Sequence, residues 1–583
     1  MSRGKFEVEE LPDEVVEKFV GGKGLAAYLA YREIKPGTDP LSPENKLYVF
    51  TGPLAYVYPT FSRIVVASKS PLTGIFCDSY AGGSFGIELR RAGLVGIVLE
   101  GKSGRTTCLI ITREDTRLID CSNLKYKTTY EVCEALRDYS VLTIGPAGEN
   151  LVKFASIFVD MRKSPVNRPG VAGRGGLGAV MGSKNVKAIA IKGWLGLEDL
   201  AKGVDNEKRR ELVSKYVEVL RRDVAPGMGI GGNLPSFKMA AEAKILPVKN
   251  FQLGVHENWR ELSEEAWARV AIKRITCPTC PLACGVVVME DGSLVERIEY
   301  ETVAMNGSNL VITSREAIIG IAELLNAMGL DSITTGNLLG FLTELSERGV
   351  LRGHEITWGD VEAYKKLIRD IAYRRGIGGL LAEGVARVAE ALGAEAYAVH
   401  VKKLEIPAYD PRGAAGMGLA YATADRGGDH LRAWTVAREL ETRLSLEELV
   451  ELVKRLQDRN AALWTLITCD NIPSSSIGSP DEIIRLYVEM LNTLGFDFDV
   501  GGFYKLGERI YNLTRLFNNR EGIKRKDDIL PLRFYTPRAD TGWVIDKEGF
   551  ERMLDLYYAV RGWSIEGIPL PETLERLDLS EIM

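Results

Sequence analysis

The sequence is poor in histidine. Only four of its 583 residues are histidines, at positions 256, 354, 400 and 430. Metal sites that rest on several histidines need them in clusters, and these four are scattered along the chain, so such sites are nearly excluded. Any metal that the chain binds must find its ligands among other groups.

Long apolar runs and basic blocks are missing as well. No apolar run reaches the ~20 residues that cross a bilayer, and residues 1–7 lack the apolar core of a signal peptide. The formal net charge is -5, and no block of lysine and arginine offsets it locally, which argues against a nucleic-acid surface. We therefore expect a cytoplasmic protein with no membrane span and no nucleic-acid partner.

The composition that remains is that of an ordinary globular protein, 45% hydrophobic and 26% charged, in a chain long enough for about three domains. One helical stretch, 13–32, opens the chain and is broken at 21–24. Short runs rich in β-branched residues follow it and are bounded by glycine, proline or aspartate, as strands are. The predicted strands are 46–50, 63–67, 96–99, 107–112 and 186–192.

Apolar residues at helical spacing dominate the chain after residue 200. The pattern predicts an α+β fold, in which a sheet-rich N-terminal domain, 1–200, is followed by two mainly helical domains, 201–395 and 396–583. The last boundary is placed at the apolar, glycine-broken stretch 392–400. The predicted helices are 207–222, 263–273, 314–328, 361–375, 380–392, 446–463, 480–494 and 503–517.

Three of the eight cysteines are packed into the run Cys277-Pro-Thr-Cys280-Pro-Leu-Ala-Cys284. Iron–sulfur clusters and zinc prefer thiolate ligands, and such short gaps let one loop turn several sulfurs toward a common centre. The spacing favours an iron–sulfur cluster over structural zinc or coincidence, because zinc sites usually contain two CxxC pairs or histidines. A fourth ligand is still needed, and Cys469 is the nearest candidate downstream.

The remaining cysteines stand singly in or beside apolar runs. Small buried hydrophobic residues are the natural interpretation of such cysteines, and unpaired thiols suit a reducing compartment. This group consists of Cys77, Cys108, Cys121 and Cys133.

Two glycine-rich stretches, 78–86 and 172–184, lie in the sheet-rich part. Glycines let backbone N–H groups approach a ligand closely, and Arg174 and Lys184 add positive charge, so a phosphate-bearing ligand is one interpretation. Tight turns between strands are the other. Neither stretch fits a Walker A motif or a clean GxGxxG.

A third dense stretch, 408–432, combines charged residues, glycines and the lone His430. It has the composition of a cleft wall, although a solvated loop with ion pairs would give the same residues. A lone histidine is more often structural than catalytic.

Taken in order, these segments resemble the aldehyde:ferredoxin oxidoreductase family of tungsten-bispterin enzymes. The similarity covers most of the chain, and several ordered motifs joined to the cysteine spacing make it specific. The matching segments are Gly21-Gly22-Lys23-Gly24-Leu25-Ala26, Ser62-Arg63, Lys69-Ser70-Pro71-Leu72-Thr73-Gly74, Ala81-Gly82-Gly83, Gly173-Arg174-Gly175-Gly176-Leu177-Gly178, the three-cysteine run, Tyr300-Glu301-Thr302 and Tyr409-Asp410-Pro411-Arg412-Gly413.

The resemblance implies that domain 1–200 cradles two pterin cofactors, whose dithiolene sulfurs hold tungsten or molybdenum and whose phosphates are bridged by Mg²⁺. Domain 201–395 would carry the three-cysteine run and domain 396–583 the last ligand of a [4Fe–4S] cluster, so that Cys277, Cys280, Cys284 and Cys469 bind it. The implied pterin contacts are Arg63, Tyr80, Gly82, Gly83, Arg174, Gly175, Gly176, Asn326, Gly329, Leu330, Asp331 and Arg432. Ordinary surface arginines would be the alternative for Arg63 and Arg432.

The activity that the resemblance implies is the oxidation of an aldehyde and water to a carboxylic acid (EC 1.2.7 class), with electrons passing through the cluster to ferredoxin or a ferredoxin-like subunit. Glu301 and His430 match the acid and the imidazole beside the metal. Aldehyde oxidation needs a proton acceptor and a group that orients the carbonyl, so we expect Glu301 to transfer the proton and His430 to orient the substrate.

Three departures from the family pattern stand out. Asn326 and Trp464 replace acids that contact the pterin; an asparagine oxygen still accepts hydrogen bonds without the charge, whereas an indole only donates, unless Asp470 supplies the lost contact. Helix 314–328 lacks the glutamate with which some members bind an iron between subunits, so a homodimer would form without that metal. Two alternatives follow: another low-potential reaction, such as carboxylate or aromatic-ring reduction in a complex, or a non-catalytic paralogue that keeps only the cluster.

Overall fold

The structure is a computed structural model that describes residues 1–2, 4–160, 170–229, 232–296, 298–351, 353–469, 471–474, 476 and 478–582. Helices take up 47% of the chain and strands 12%, and most of the strands lie before residue 192, which confirms the α+β prediction. Across the described ranges, no helix is long and apolar enough to span a lipid bilayer. The division into domains at 200 and 395 stays a prediction.

The strands before residue 192 form two sheets in the described part of the chain. The first has the antiparallel order β3-β2-β1-β4, and the second has the mixed order β6-β5-β10-β7-β8-β9, in which only β5 and β10 run parallel. Their strands are β1 Leu47–Phe50, β2 Ile64–Lys69, β3 Phe76–Ala81, β4 Gly96–Leu99, β5 Thr107–Ile111, β6 Thr116–Asp120, β7 Ser140–Thr143, β8 Ile157–Val159, β9 Gly170–Ala172 and β10 Val186–Ile191.

Six helices accompany these strands in the residues described, and the remaining helices form the rest of the molecule. The first group is α1 Asp13–Phe19, α2 Gly22–Glu33, α3 Phe85–Arg91, α4 Thr129–Ala135, α5 Pro146–Glu149 and α6 Leu177–Ser183. The middle group is α7 Leu197–Leu200, α8 Asn206–Val219, α9 Pro235–Glu242, α10 Glu264–Ala268, α11 Tyr300–Asn306, α12 Arg315–Met328, α13 Ser332–Glu347, α14 Val361–Ala372, α15 Gly378–Leu381 and α16 Val385–Leu392. The last group is α17 Ala415–Thr423, α18 Val436–Glu441, α19 Leu446–Leu466, α20 Asn471–Ser474, α21 Pro480–Asn492, α22 Val500–Arg520, α23 Lys547–Arg561 and α24 Pro571–Arg576.

The predicted helix 263–273 is wrong in its second half. Helix α10 ends at Ala268, and a strand, β11 (Ala271–Ile275), follows it and pairs antiparallel with β12 (Gly285–Glu290), which pairs in turn with β13 (Ser293–Glu296). The β-branched residues of this stretch favour a strand once a partner is available, and that partner lies ten residues downstream, beyond the reach of a local pattern. The loop between β11 and β12 carries the three-cysteine run. A short pair, β14 (His400–Val401) and β15 (Leu404–Glu405), lies further along.

One large apolar core lies among the middle and last helices, and a second joins α1, α2 and the first sheet to α19, α21 and α22. Helix α19 packs along α22 and against α2, so its last turn is held between the N-terminal and C-terminal parts of the chain. Its C-cap, Ile467, has a left-handed φ of 61° that ends the helix two residues before Cys469.

A disulfide joins Cys108 and Cys121, with the Cα atoms 5.8 Å apart, which corrects the prediction that both are unpaired. Cys108 lies in β5 and Cys121 directly follows β6, so the β5–β6 hairpin brings together two cysteines that look isolated in the sequence. These two cysteines therefore no longer support the inference, drawn from unpaired thiols, that the protein works in a reducing compartment. Cys77 and Cys133 are buried free thiols, as predicted.

The disulfide should stabilise the fold, because it closes a loop over a sequence separation of 13 in the unfolded chain. We expect the double variant Cys108→Ser/Cys121→Ser to lose up to about 3 kcal/mol of unfolding free energy, measured by denaturant titration. Cys133→Ser, in the same apolar cluster, is the control for the loss of a buried sulfur. Equal stability of the double variant and the wild type would contradict the pairing.

Candidate active site

The four cysteines singled out in the sequence line one pocket. Cys277, Cys280 and Cys284 come from the loop between β11 and β12, and Cys469 comes from the turn after α19. Arg63 Nη2 donates a hydrogen bond to Cys469 Sγ at 3.5 Å, so this arginine lies at the pocket rather than on an unrelated surface. The fold therefore brings the distant cysteine to the other three.

The environment of the thiols shows how close together they lie. Burial first, and then the charges of Cys277, Cys469 and Cys284, raise the pKa of Cys280 to about 12. In the ranges described, no three His, Cys, Asp or Glu side chains gather tightly enough to hold a single metal ion. Sulfurs arranged around a pocket suit a multi-iron cluster, whose ligands bind separate irons, more than one zinc ion.

A network of buried charges joins distant parts of the chain. Lys23 on α2 binds Asp425 at 2.6 Å and Asp78 on β3 at 3.2 Å. Arg432 binds Asp425 at 2.6 Å and also contacts Asp78. Among the described residues, the six side chains of this charge cluster, each at most 2% exposed, are Lys23, Asp78, Asp425, Arg426, Asp429 and Arg432.

The cluster contains three cations and three carboxylates, so its charges cancel. Although burial alone would raise it, Arg432 and then Lys23 hold the pKa of Asp425 well below its usual range. Arg426 does the same for Asp429, which it binds at 2.8 Å. The two aspartates therefore keep their charges because their cationic partners are in place.

Trp464, in the last turn of α19, packs against this cluster. Its ring stacks on Tyr80 with centroids 4.9 Å apart, and the Arg432 guanidinium and Lys23 ammonium lie 4.5 and 5.3 Å from the indole. Tyr80 in turn donates a hydrogen bond to Asp78. Where the resemblance implies an acid, this chain therefore has cation–π contacts. Asp470, the suggested substitute, lies outside the described residues.

Glu301 and His430 face each other, with His430 Nε2 3.7 Å from Glu301 Oε1. Glu301 lies in the first turn of α11, and its carboxyl accepts a hydrogen bond from the backbone N–H of Ala408 at 3.0 Å. Burial raises the pKa of Glu301 to about 8; the Ala408 N–H and Arg174 lower it in part, and Asp331 raises it again. The two residues predicted to be catalytic thus lie side by side, and one titrates near neutral pH.

Aromatic rings close this site on one side. Tyr409 stacks on Tyr300 with ring centroids 4.8 Å apart, and it lies 5.8 Å from the His430 ring and 6.1 Å from Trp434. Tyr300 and Tyr409 are buried. Such a wall limits the access of water to Glu301 and His430.

Arg174 connects the glycine-rich stretch to the rest of the molecule. It donates to the backbone oxygens of Gly428, at 2.7 Å, and Glu405, and its Nε lies 3.6 Å from Asp331 Oδ2. Packing by itself already requires glycine at the two positions that follow Arg174. Gly175 and Gly176 have φ values of 83° and 73°, and an added Cβ would lie 2.0 Å from Cys77 Sγ at the first and 1.9 Å from the Lys153 carbonyl oxygen at the second.

Gly83 follows the same principle. It has a φ of 132°, and an added Cβ would lie 2.7 Å from Val159. Gly170 is required in turn by the carbonyl oxygen of Gly82, which would lie 2.3 Å from a Cβ at position 170. These close approaches explain Gly83, Gly170, Gly175 and Gly176 without a ligand, so they do not by themselves identify a phosphate site. Lys184 is likewise occupied, since it donates to the backbone oxygen of Asn45.

The stretch from Asn326 to Asp331 joins two helices. Asn326 lies in the last turn of α12, where its backbone carbonyl accepts a hydrogen bond from the Thr129 hydroxyl. Gly329, with a φ of 81°, ends that helix. Leu330 forms an isolated bridge with Ala155, and Asp331 caps α13. Among these residues, Asp331 is the one that reaches Arg174.

Two arginine nitrogens test whether the site suits a bound cofactor. Arg174 Nε and Arg432 Nη1 are buried and have no hydrogen-bond partner in the described part of the chain. Buried donors are normally satisfied, so unmatched N–H groups fit a ligand that is rich in acceptors. Together with the four thiols, these donors fit the groups that the resemblance implies.

No local sequence pattern indicates the charge cluster as a unit. Lys23 stands in the Gly21–Gly24 motif and Asp78 opens a glycine-rich stretch, but their partners lie about 350 to 400 residues away. The density of charges at 425–432 is the signal that was available. Such a density is typical of a cleft wall or of a solvated loop, and the structure shows that these charges are buried.

Comparison with known proteins decides the family. The family model described as "Aldehyde ferredoxin oxidoreductase, N-terminal domain" matches residues 1–193, and the one described as "Aldehyde ferredoxin oxidoreductase, domains 2 & 3" matches residues 211–579. The chain belongs to the aldehyde ferredoxin oxidoreductase family. It is an oxidoreductase of that family.

Relatives within the aldehyde ferredoxin oxidoreductase family differ in what they act on. The chain is 37% identical, over all of its length and 98% of the relative, to the tungsten-containing aldehyde ferredoxin oxidoreductase of Pyrococcus furiosus. It is 32% identical, over all of its length and 96% of the relative, to the WOR-like subunit of an aliphatic sulfonate oxidoreductase of the same organism. A solved chain of the active site complex BamBC of benzoyl coenzyme A reductase has the same fold, with a TM-score of 0.85, 24% identity and coverage of 100% and 96% of the two chains.

The charge cluster should dominate local stability. We expect Lys23→Met to cost about 3–5 kcal/mol of unfolding free energy, because it leaves buried carboxylates without their cation, measured by denaturant titration. Adding Asp425→Asn should restore part of the loss. Lys215→Met, which removes an exposed ion pair with Glu211 on α8, is the control and should leave stability unchanged. A Lys23 variant as stable as the control would show that the cluster does not hold the fold together.

Proposed function

We propose that this protein oxidises an aldehyde and water to a carboxylic acid at a tungsten, or molybdenum, bispterin and passes the electrons through a [4Fe–4S] cluster to ferredoxin or a ferredoxin-like subunit. The observation that carries the proposal is the meeting of Cys469 with the three-cysteine loop in one pocket, reached by Arg63. The name of the 37% identical relative supports the choice of metal, substrate and acceptor.

The residues would divide the work as follows. The four pocket cysteines would hold the cluster, with Arg63 between it and a pterin. Arg174 and Arg432 would donate their unmatched N–H groups to the pterins, and Mg²⁺ between the phosphates is part of the same proposal. When bound, the cofactor supplies the two-electron chemistry that no side chain of this chain can perform. The further pterin contacts would be Tyr80, Gly82, Gly83, Gly175, Gly176, Asn326, Gly329, Leu330 and Asp331.

Glu301 and His430 would handle protons and substrate. A carboxyl whose pKa is about 8 can take and return a proton near neutral pH, which is what a general base for water attack requires. His430, 3.7 Å from it, would orient the carbonyl oxygen. The ring wall of Tyr300 and Tyr409 would keep bulk water from the reacting groups.

A second candidate is a different low-potential two-electron reaction, such as carboxylate or aromatic-ring reduction within a complex. Trp464 favours it, because its cation–π contacts with Arg432 and Lys23 replace an acid in the pterin environment. The names of two similar proteins support this candidate, since one is a subunit of an aliphatic sulfonate oxidoreductase and the other, with the same fold, belongs to a benzoyl coenzyme A reductase complex. A homodimer and a cytoplasmic location stay predictions.

Elemental analysis of protein purified without oxygen, followed by an aldehyde panel with a viologen dye, tests the proposal. We expect tungsten or molybdenum, about four irons per chain and aldehyde-dependent dye reduction. Iron together with tungsten or molybdenum, but without aldehyde-dependent dye reduction, would favour the second candidate. Iron without tungsten or molybdenum would indicate a non-catalytic paralogue, and zinc alone would reject the cluster.

The fourth ligand can be tested directly. We expect Cys469→Ser to lose iron and the visible absorption of the cluster, whereas Cys133→Ser, a buried free thiol elsewhere, should keep both. The readout is iron per chain in protein that elutes as the wild type does. Full iron content in the Cys469 variant would remove this residue from the ligand set.

The catalytic pair can be tested with conservative variants. We expect Glu301→Gln to lower turnover about 10²- to 10⁴-fold, because an amide cannot accept the proton, and His430→Asn to lower it as well. Metal content should stay at the wild-type level in both. The exposed pair Glu355→Gln and His354→Asn are matched controls. Unchanged turnover in both site variants would exclude these two residues from the mechanism.

A further inference from the structure

Glu405, a carboxyl that the proposed mechanism does not use, lies buried at the end of β15 with no measurable exposure. Its Oε1 accepts a hydrogen bond from the backbone N–H of Val385, the first residue of α16, at 3.0 Å. Its Oε2 lies 2.8 Å from Thr334 Oγ1, in the first turn of α13. The same Thr334 oxygen lies 2.7 Å from Asp331 Oδ2. One hydroxyl thus connects two carboxyl groups.

Counting hydrogens fixes the protonation of this chain of groups. A threonine hydroxyl has one hydrogen to donate, so it cannot donate to both carboxyls. If both carboxyls were ionised, one of the two contacts of Thr334 Oγ1 would bring two oxygens together with no hydrogen between them. Such a contact is unfavourable in a buried site, where water cannot supply the missing hydrogen. One carboxyl must therefore donate to Thr334 while Thr334 donates to the other.

The surroundings show which carboxyl carries the proton. Asp331 has the contacts that suit a carboxylate, because it accepts the Ile333 N–H at 3.0 Å at the N-terminus of α13 and its Oδ2 lies 3.6 Å from Arg174 Nε. Glu405 has the Val385 N–H, and burial raises the pKa of Glu405 to about 7. The proton belongs on Glu405.

The charged and titratable groups around Glu405 come from each neighbouring element. Arg174 lowers its pKa slightly and donates to its backbone oxygen, and Arg387 on α16 interacts with it electrostatically. Asp331 reaches it through Thr334. His400 is its partner across the β14–β15 pair, and burial lowers the pKa of His400 to about 4, so that ring is neutral.

We propose that Glu405, Thr334 and Asp331 form a proton relay in which two carboxyls share one proton. In the transfer step the proton of Glu405 Oε2 moves to Thr334 Oγ1 while the hydroxyl proton of Thr334 moves to Asp331 Oδ2. Glu405 is then a carboxylate and Asp331 a carboxylic acid, Thr334 is unchanged, and the total charge stays the same. The return step reverses both transfers.

The relay has a target in the candidate active site. Asp331 is one of the charges that raise the pKa of Glu301, and Arg174 is one that lowers it. When the proton is on Asp331, the charge of Asp331 no longer raises the pKa of Glu301, while Arg174 and the Ala408 N–H still lower it and Asp429 still raises it. Glu301 then gives up its proton more readily. The relay therefore controls the acidity of Glu301, and this last step rests on the role proposed for Glu301, whereas the shared proton does not.

Infrared difference spectroscopy on the full-length protein as purified tests the shared proton. Subtracting Glu405→Gln from the wild type at pH 6 should reveal the carbonyl stretch of a protonated carboxyl, and Glu301→Gln separates the band of the other buried acid. Thr334→Val should shift the Glu405 band to higher frequency because its acceptor is gone, and Thr334→Ser, which keeps the hydroxyl, should leave it in place. The absence of a protonated Glu405 band at pH 6, or a band that Thr334→Val leaves unmoved, would overturn the relay.

Stability gives a second readout without any activity. The pKa of Glu405 is higher in the folded than in the unfolded chain, so the stability from this group is present in acid and lost as pH rises through about 7. Glutamine mimics the protonated acid, accepting from Val385 and donating to Thr334. The melting temperature of Glu405→Gln relative to the wild type should therefore rise between pH 6 and pH 9. A constant difference over that range would contradict a proton on Glu405.

Activity tests the link to Glu301 separately. We expect Thr334→Val to shift the pH profile of turnover, whereas Thr334→Ser should match the wild type. An unshifted profile together with the infrared result would leave the shared proton standing and refute its control of Glu301. If aldehydes give no turnover at all, the proposed function fails while the infrared and melting results still decide the relay.

Discussion

The structure depends on the mutual neutralisation of buried charges contributed by both ends of the chain. Taking a lysine, two arginines and three aspartates out of water is strongly unfavourable unless each ion is matched. Lys23 and Asp78 can be buried only when the 425–432 segment is in place, and that segment is stable only against them. The N-terminal sheets and the C-terminal part of the chain can therefore each reach their native structure only when the other is in place.

That constraint also sets the position of the cysteine pocket. Trp464 packs between Tyr80 and Arg432, which fixes the last turn of α19 against the charge cluster. The left-handed Ile467 then turns the chain so that Cys469 reaches the loop between β11 and β12. A short run of backbone thus connects the ion network to the four sulfurs, and a shift of α19 would displace Cys469 from the pocket.

Local patterns in the sequence were sufficient for the long amphipathic helices, such as α12 and α19, and for strands such as β4, whose bounds agree with prediction within a few residues. They failed where a partner far along the chain decides the structure. The local pattern of residues 271–275 predicts a helix, but pairing with β12 makes this segment the strand β11. Likewise, Cys108 and Cys121 come together only through the pairing of β5 with β6. The three-cysteine loop was evident from spacing alone, and Cys469 could be named as its partner only as the nearest candidate downstream and through the family resemblance. The pairing of Lys23 with Asp425 came only from the fold, since residue types at such a separation carry no local signal.

The pocket takes three of its cysteines from one hairpin loop and the fourth from the end of a distant helix. Loop closure between neighbours is fast, whereas contacts across hundreds of residues form only when most of the chain has folded. The hairpin can present an incomplete set of thiols early, but a centre that needs all four can be assembled only in a nearly finished molecule. A metal centre that binds all four thiols would therefore be inserted late in folding, and it would join the loop at 277–284 to the turn that carries Cys469.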